Sequence, residues 1–303
     1  MAYNCVVLVK QVPDTKRITG QAMNEDGTVN RAALPAIFNP EDLNALELAL
    51  EIKDKFGGKV TVMTMGLPAA SEVLRESLYR GADETILITD RGCAASDTLS
   101  TSYIIGRGVE KLDYDIVLCG RQAIDGDTAQ VGPQLAEKLG ITQITYVEKL
   151  EDLSDGNITI KRSIGNGFQQ VKCKLPVLLT VVGEANEPRV AASKKMMKYK
   201  KAFSPAEIIA QVKAENTNAD ENTINSLAER KIKLLEKRGL LIKQWDLNFL
   251  KADLQWCGRN GSPTKVHRIQ SIVLAAKESK DVEPTELGIS GMIHELIIDK
   301  TIA

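Results

Sequence analysis

Short apolar runs alternate with amphipathic stretches through the first 120 residues, and this alternation constrains the fold more than any other feature of the chain. Residues 5–9, 59–65, 85–89 and 115–119 read as buried strands, whereas 40–56, 69–80 and 96–112 carry helical spacing. Strands separated by helices predict βαβ units, a parallel sheet and right-handed crossovers. Asn39 reads as an N-cap, with Pro40 at the first helical position and Glu41 and Asp42 favoured by the helix dipole. Ser96-Asp97 is a weaker start of the same kind, and Gly81 and Gly140 read as C-terminal stops.

The pattern changes near residue 145. Residues 145–150, 158–164 and 168–173 alternate in polarity and are separated by Ser154-Asp155-Gly156-Asn157 and Gly165-Asn166-Gly167. These are turn signals between antiparallel strands. Residues 175–182 then read as another buried strand. Ser204-Pro205-Ala206-Glu207 opens a helical segment, 216–222 is polar, and 223–238 carries charged i,i+4 pairs, which predicts two helices with a mobile joint. Residues 245–273, with Gly258, Gly261 and Pro263, read as a loop-rich extension, either crossing to another subunit or docking as a tail.

Composition removes several function classes. The 303 residues are 43% hydrophobic and 26% charged, with a formal net charge of -1. That allows one large α/β domain with added elements and argues against nucleic acid as the main partner. Five cysteines without a C-x-x-C pair suggest neither a disulfide framework nor a zinc site. Only two histidines exist, His267 and His294, so neither a metal site nor a His-centred triad is expected. Met1–Lys10 has no basic n-region, and no apolar run nears the roughly 20 residues of a membrane span, so a soluble cytoplasmic protein is expected.

The informative stretch runs from Gly120 to Gln134, reading GRQAIDGDTAQVGPQ. It leaves a strand, turns on glycine and enters a helix ending near Leu139. Backbone N–H groups at that helix start suit a phosphate, assisted by the Thr128 hydroxyl and the Gln130 amide. Asp125 and Asp127 suit ribose hydroxyls or loop amides. A tight capped connection with no ligand is the equal alternative at this point. Two further strand ends, Leu8-Val9-Lys10-Gln11-Val12-Pro13 and Thr64-Met65-Gly66-Leu67-Pro68, converge on the same crevice if the strand order is 3-2-1-4-5.

These residues resemble the β subunit of electron transfer flavoproteins, the FixA family. The resemblance rests on Val9-Lys10-Gln11-Val12-Pro13-Asp14, Phe38-Asn39-Pro40, Gly81-Ala82-Asp83, the Gly120–Pro133 loop, Lys174-Leu175-Pro176 and Asn186-Glu187-Pro188-Arg189. The stretch from Gly258 to Val266 is similar to the tail motif of many bacterial members. Only residues 204–243 have no counterpart in the pattern.

The resemblance implies a Rossmann-like, adenine-nucleotide-binding α/β fold with a parallel sheet, an antiparallel section and a C-terminal extension. It divides the chain into a nucleotide-binding domain with the recognition loop (1–200), a helical insertion (201–244) and an extension docking on the partner (245–303). Members pair with an α subunit carrying FAD; the β subunit holds either AMP or, in electron-bifurcating members, a second FAD. The loop here looks like the bifurcating type, which implies NADH as donor, a low-potential acceptor such as ferredoxin or flavodoxin, and no catalytic side chain. Carried over by motif position, the cofactor site comprises Leu8, Asn39, Met65, Gly66, Gly120, Arg121, Gln122, Ala123, Asp125, Gly126, Asp127, Thr128, Ala129, Gln130 and Val131. Arg121 is either a flavin tuner or a surface salt bridge. The loop recognising an acyl-CoA dehydrogenase, or a related flavin dehydrogenase, falls on Arg189, Ala192, Ser193, Lys194, Lys195 and Met196. Ala192 and Ser193 stand where some members carry a bulky apolar anchor, so the identity of that dehydrogenase stays open. A nucleotidyl-transfer ligase of similar topology needs a glycine-serine loop after the first strand, which Lys10-Gln11-Val12-Pro13 does not supply.

Overall fold

A computed structural model describes residues 2–14, 34–264 and 281–298. The chain opens with β1 (Cys5–Leu8), then an antiparallel ribbon of β2 (Gln11–Pro13) and β3 (Ala36–Phe38). The alternation continues through α1 (Pro40–Phe56), β4 (Val60–Met65), α2 (Ser71–Arg80), β5 (Glu84–Ile88), α3 (Thr98–Val109), β6 (Ile116–Gly120) and α4 (Val131–Leu139). Next come β7 (Thr142–Ser154), β8 (Asn157–Ser163), β9 (Phe168–Lys174) and β10 (Val177–Val181). The remaining elements are α5 (Ser193–Tyr199), α6 (Pro205–Glu215), α7 (Glu221–Lys237), β11 (Lys243–Trp245) and α8 (Glu286–Ile298).

Among the described residues one sheet has the order β11-β5-β4-β1-β6-β10-β7-β8-β9. Its members from β11 to β7 pair in parallel, and β8 and β9 add antiparallel. The run β5-β4-β1-β6-β10 is the expected 3-2-1-4-5. Parallel strands are covered on both faces and read as continuous apolar runs. Alternate residues accordingly enter two cores. Cys5, Val7, Ile116 and Leu118 join Leu46, Leu50 and Leu74 of α1 and α2. Val6, Leu8, Val117 and Cys119 join Ile104, Val109 and Leu135 of α3 and α4. The α6–α7 hairpin keeps a small core of its own around Ile208, Val212, Ile224, Ala228 and Leu235.

Several local readings hold. Ser204 and Glu207 form a reciprocal capping box, and Gly140 ends α4 in the left-handed region at φ 64. Others shift. Asp97, not Ser96, caps α3, accepting the Ser100 N–H at 2.9 Å. Asn39 makes no side-chain cap for α1 and its amide is used elsewhere. β7 is longer than its alternation implies because it has two partners: its first half pairs parallel with β10 and its second antiparallel with β8. The change of partner falls where Tyr146 takes a positive φ of 58. Gln11–Pro13 form part of the ribbon rather than a plain loop. The insertion closes on β11, which extends the sheet beyond β5. The two helices of the insertion are joined through Asn216–Asp220, where the Asn216 amide donates to Val212 O at 3.0 Å. Lys265, Val266 and His267 lie outside the described residues.

Candidate functional site at the carboxyl edge of the sheet

β1 and β6 are neighbours whose following segments depart to different parts of the fold, so the crevice beyond their carboxyl ends is the switch point of the sheet. Three adjacent strands end there at Leu8, Met65 and Gly120. Leu8 is buried against the α3–α4 core, Met65 packs on the same cluster, and the Gly66 N–H donates to Ile88 O at 3.0 Å.

The first turn of α1 fastens the edge. Asp42 accepts the Lys10 N–H at 2.8 Å on one oxygen and the Gly120 N–H at 2.9 Å on the other. It joins the exits of both strands flanking the crevice. Gly120 is required there: a Cβ would stand 2.6 Å from the Asp42 carboxylate and 2.8 Å from the Glu41 backbone. Burial pushes the Asp42 carboxyl up to about 7, against the lowering pull of the N–H groups of Gly120 and Lys10, the Asn39 side chain and the Lys10 charge. Glu41 accepts the Gln122 N–H at 3.0 Å and pairs with Arg121 at 2.9 Å. Asn39, fully buried, donates from Nδ2 to Gln122 O at 2.9 Å and accepts the Ile124 N–H at 3.1 Å. Lys10 spans the crevice, its Nζ contacting both Asp125 oxygens at 2.7 and 2.8 Å.

Beyond this clamp the loop opens outward. Gly126, Asp127 and Thr128 are exposed, Ala123 and Ala129 half-buried. A Cβ on Gly126 meets no atom within 4 Å, so there is room in front of it, and its backbone needs no glycine. Asp127 and Ala129 adopt left-handed φ values of 47 and 54, flanking Thr128. Such alternation turns successive backbone N–H groups toward one side, as in an anion-binding nest. Gln130 precedes α4 without capping it; its side chain instead accepts from Thr98 Oγ1 at 3.0 Å. The first N–H groups of α4, beginning at Val131, are thus left without a side-chain acceptor, and a helix start of this kind attracts negative charge. The Gln122 side chain donates to Asp127 at 3.1 Å. Arg121 combines its pair with Glu41 and a position 5.6 Å from the Tyr146 ring centre. The residues present fit a phosphate-bearing nucleotide: a built scaffold on the inner side, and an open, donor-rich turn on the outer side.

The expected site residues therefore do come together, with one regrouping. Asn39, Gly120, Arg121, Gln122 and Asp125 build the scaffold, while Gly126, Asp127 and Thr128 are exposed, Gln130 bonds Thr98 and Val131 packs on the α3–α4 core. Lys10 was expected only as part of the β1 exit loop, and Glu41 and Asp42 were not expected as members. Acids in a first helical turn signal dipole compensation equally well, so spacing alone does not mark them as a clamp.

The expected partner-recognition residues lie elsewhere, beyond α1 and α2. Arg189 donates to both oxygens of buried Glu47 at 2.9 and 3.0 Å and pairs with Asp54 at 2.9 Å, anchoring the segment to α1. The Ala192 N–H donates to Tyr79 O at 3.0 Å, and Ser193, Lys194, Lys195 and Met196 are exposed on α5. All five cysteines are free. Among the described residues no cluster of His, Cys, Asp and Glu is arranged to hold a metal, and no helix is long and apolar enough to cross a membrane.

Comparison with known proteins agrees with this architecture. The model of the electron transfer flavoprotein domain matches residues 26–209. An electron transfer flavoprotein subunit beta from Clostridium acetobutylicum is 51% identical over 193 residues, covering 64% of this chain and 73% of that one. The protein FixA of Bradyrhizobium diazoefficiens is 34% identical over 303 residues, covering 97% and 91%. The CarD subunit of the caffeyl-CoA reductase-Etf complex of Acetobacterium woodii is 47% identical over 186 residues, covering 61% and 70%. The chain belongs to the electron transfer flavoprotein family and is of its β-subunit, FixA type.

Proposed function

We propose that this chain is the nucleotide-holding β subunit of a two-subunit electron carrier, with FAD in the crevice beyond β1 and β6. The observation that carries the reading is the turn leading into α4, exposed from Gly126 to Thr128, left-handed at Asp127 and Ala129 and continuous with an uncapped helix start. In this reading the turn and the first N–H groups of α4 hold the nucleotide phosphates, with the Thr128 hydroxyl assisting. Leu8, Met65 and Gly66 border the remainder of the nucleotide. Asn39, Glu41, Asp42 and Lys10 hold the loop in register, and Arg121 lies at its root. A bound flavin supplies hydride acceptance from NADH and one-electron transfer. The side chains bind and orient; none acts as nucleophile or metal ligand.

Electrons then pass to the FAD of the α subunit, to a low-potential acceptor such as ferredoxin or flavodoxin, and to an acyl-CoA dehydrogenase or related flavin dehydrogenase in the cytoplasm. Relatives named as subunits of acryloyl-CoA reductase and caffeyl-CoA reductase complexes support a bifurcating carrier of this kind. Residues 1–200 form the nucleotide domain, 201–244 the insertion and 245–303 the extension to the α subunit. Apolar α8 supports that last role, since none of its residues is buried and Leu287, Ile289, Met292 and Ile293 are exposed. The alternative occupant is AMP, which the same phosphate-facing turn accommodates. Cofactor analysis of the purified two-subunit complex decides: two FAD per heterodimer supports the proposal, and one FAD with one AMP replaces it by the non-bifurcating carrier.

A further inference from the structure

The recognition segment and the helical insertion that follows it together carry a positive balance that the rest of the chain does not. Residues 189–243 hold 13 Lys and Arg against six Asp and Glu, in a chain whose net charge is -1. On α7, Arg230, Lys233, Leu234 and Lys237 follow i, i+3, i+4, i+7 spacing, and all four are exposed. Among the described residues none of these three cations forms a salt bridge, whereas Lys231 turns inward to Gln211 at 3.0 Å and toward Glu215. α5 presents a similar mixture: Lys194, Lys195 and Lys198 around Met196 and Met197, which are 42% and 66% exposed.

The two helices end together. The Phe203 N–H donates to Leu240 O at 3.2 Å and the Ile242 N–H to Phe203 O at 3.0 Å, so the segments leaving α5 and α7 run side by side. Tyr199 of α5 and Glu236 of α7 line one cavity of about 330 Å³ at this junction. The arrangement is braced from below. Arg75 of α2, itself buried, donates to both Glu207 oxygens at 2.8 and 3.0 Å and to Ala202 O at 3.1 Å. α5 packs on the same helix, α2. α2 therefore holds α5 directly and reaches α7 through α6, on which α7 packs.

We propose that the exposed stripe of α7 and the recognition helix α5 form one basic docking face for a carboxylate-rich protein surface on the electron-accepting dehydrogenase. The proposal rests on the reading of α5 as a partner-recognition element and adds the insertion to it. Exposed methionines suit an interface core with a polar rim, and surface cations that form no salt bridge accelerate encounter with an acidic partner.

The test uses the two-subunit complex with purified acyl-CoA dehydrogenase as the probe. Second-order rates of dehydrogenase reduction are measured from about 20 mM to about 500 mM salt, a range over which surface charges become screened. The variant Arg230→Glu/Lys233→Glu/Lys237→Glu is expected to react about tenfold more slowly at low salt and to approach wild type at high salt. The corresponding glutamine variant is expected to lie between them, and cofactor content and thermal midpoint are expected to be unchanged. A wild-type rate in both α7 variants, while Lys194→Glu/Lys195→Glu is slowed, overturns the inference and leaves the role of α5 standing. Wild-type rates in all variants overturn both readings. Retention of a single-stranded RNA oligomer at physiological salt, abolished by the α7 substitutions, reassigns the face to nucleic acid and also overturns the inference.

Discussion

The Asp42 carboxylate accepts the Gly120 backbone N–H at 2.9 Å, tying the first turn of α1 to the exit of β6. Its second oxygen holds Lys10 at the exit of β1, so one buried acid sets the spacing of the switch point. In Asp42→Asn one of those N–H donors faces an amide donor instead of an acceptor. Nucleotide content of the β subunit is expected to fall while α-subunit FAD is retained, as read by cofactor release and chromatography.

The same acid gives a pH signature. Its folded value, pushed up to about 7 mainly by burial, lies above the ordinary carboxylate value of 3.8. Folding therefore favours the protonated form, and the contribution present at low pH is lost as pH rises toward 7. Relative to wild type, Asp42→Asn is expected to gain by up to about 1.4 kcal/mol per pH unit between about pH 5.5 and the folded value, the difference levelling off about one unit above it. Urea-unfolding midpoints of both complexes across that range measure it; a constant difference rejects the assignment.

Gly126 and Thr128 separate the ligand from the fold. Gly126→Val adds bulk where no protein atom lies within 4 Å, so the complex is expected to fold normally while losing most of its β-subunit nucleotide and NADH-dependent reduction. Thr128→Ala is expected to weaken binding by about 1 kcal/mol, the worth of one neutral hydrogen bond. Equal loss of both cofactors in Gly126→Val indicates misfolding rather than a blocked site.

On α5, the substitutions Lys194→Glu and Lys195→Glu are expected to slow electron delivery to the dehydrogenase, more at low salt than at high, with cofactor content intact. Rates at the wild-type level across ionic strengths make this run a solvated face.

Arg75 is the bolt of the insertion. Its removal in Arg75→Ala leaves the Glu207 carboxylate and Ala202 O without their guanidinium, with an expected loss of about 2–3 kcal/mol. Chemical denaturation of the complex measures it. The α8 surface gives a complementary result: Ile289→Glu/Ile293→Glu is expected to weaken subunit association without lowering secondary-structure content, as read by sedimentation and circular dichroism.

The alternation of apolar runs and amphipathic stretches determined the parallel sheet and most of its elements, because burial on both faces leaves a continuous apolar mark in each strand, whereas the order of the strands is decided by the fold. The Gly120–Pro133 stretch declared itself through glycine, threonine and an acid-rich turn. What spacing could not decide is which groups meet across the chain. Asn39 looks like a cap in sequence, yet its amide is spent on residues 122 and 124, more than 80 positions away. Glu41 and Asp42 look like dipole compensation, and tertiary packing turns them onto a loop instead. β7 reads as a plain alternating strand, and only its neighbours show that it changes partner midway. The insertion reads as two charged helices; the Arg75–Glu207 contact, formed across 132 positions, fixes the first turn of α6 against α2. Local periodicity records burial and backbone preference, whereas a polar side chain can satisfy itself near or far at similar energy, and only the folded chain selects between them.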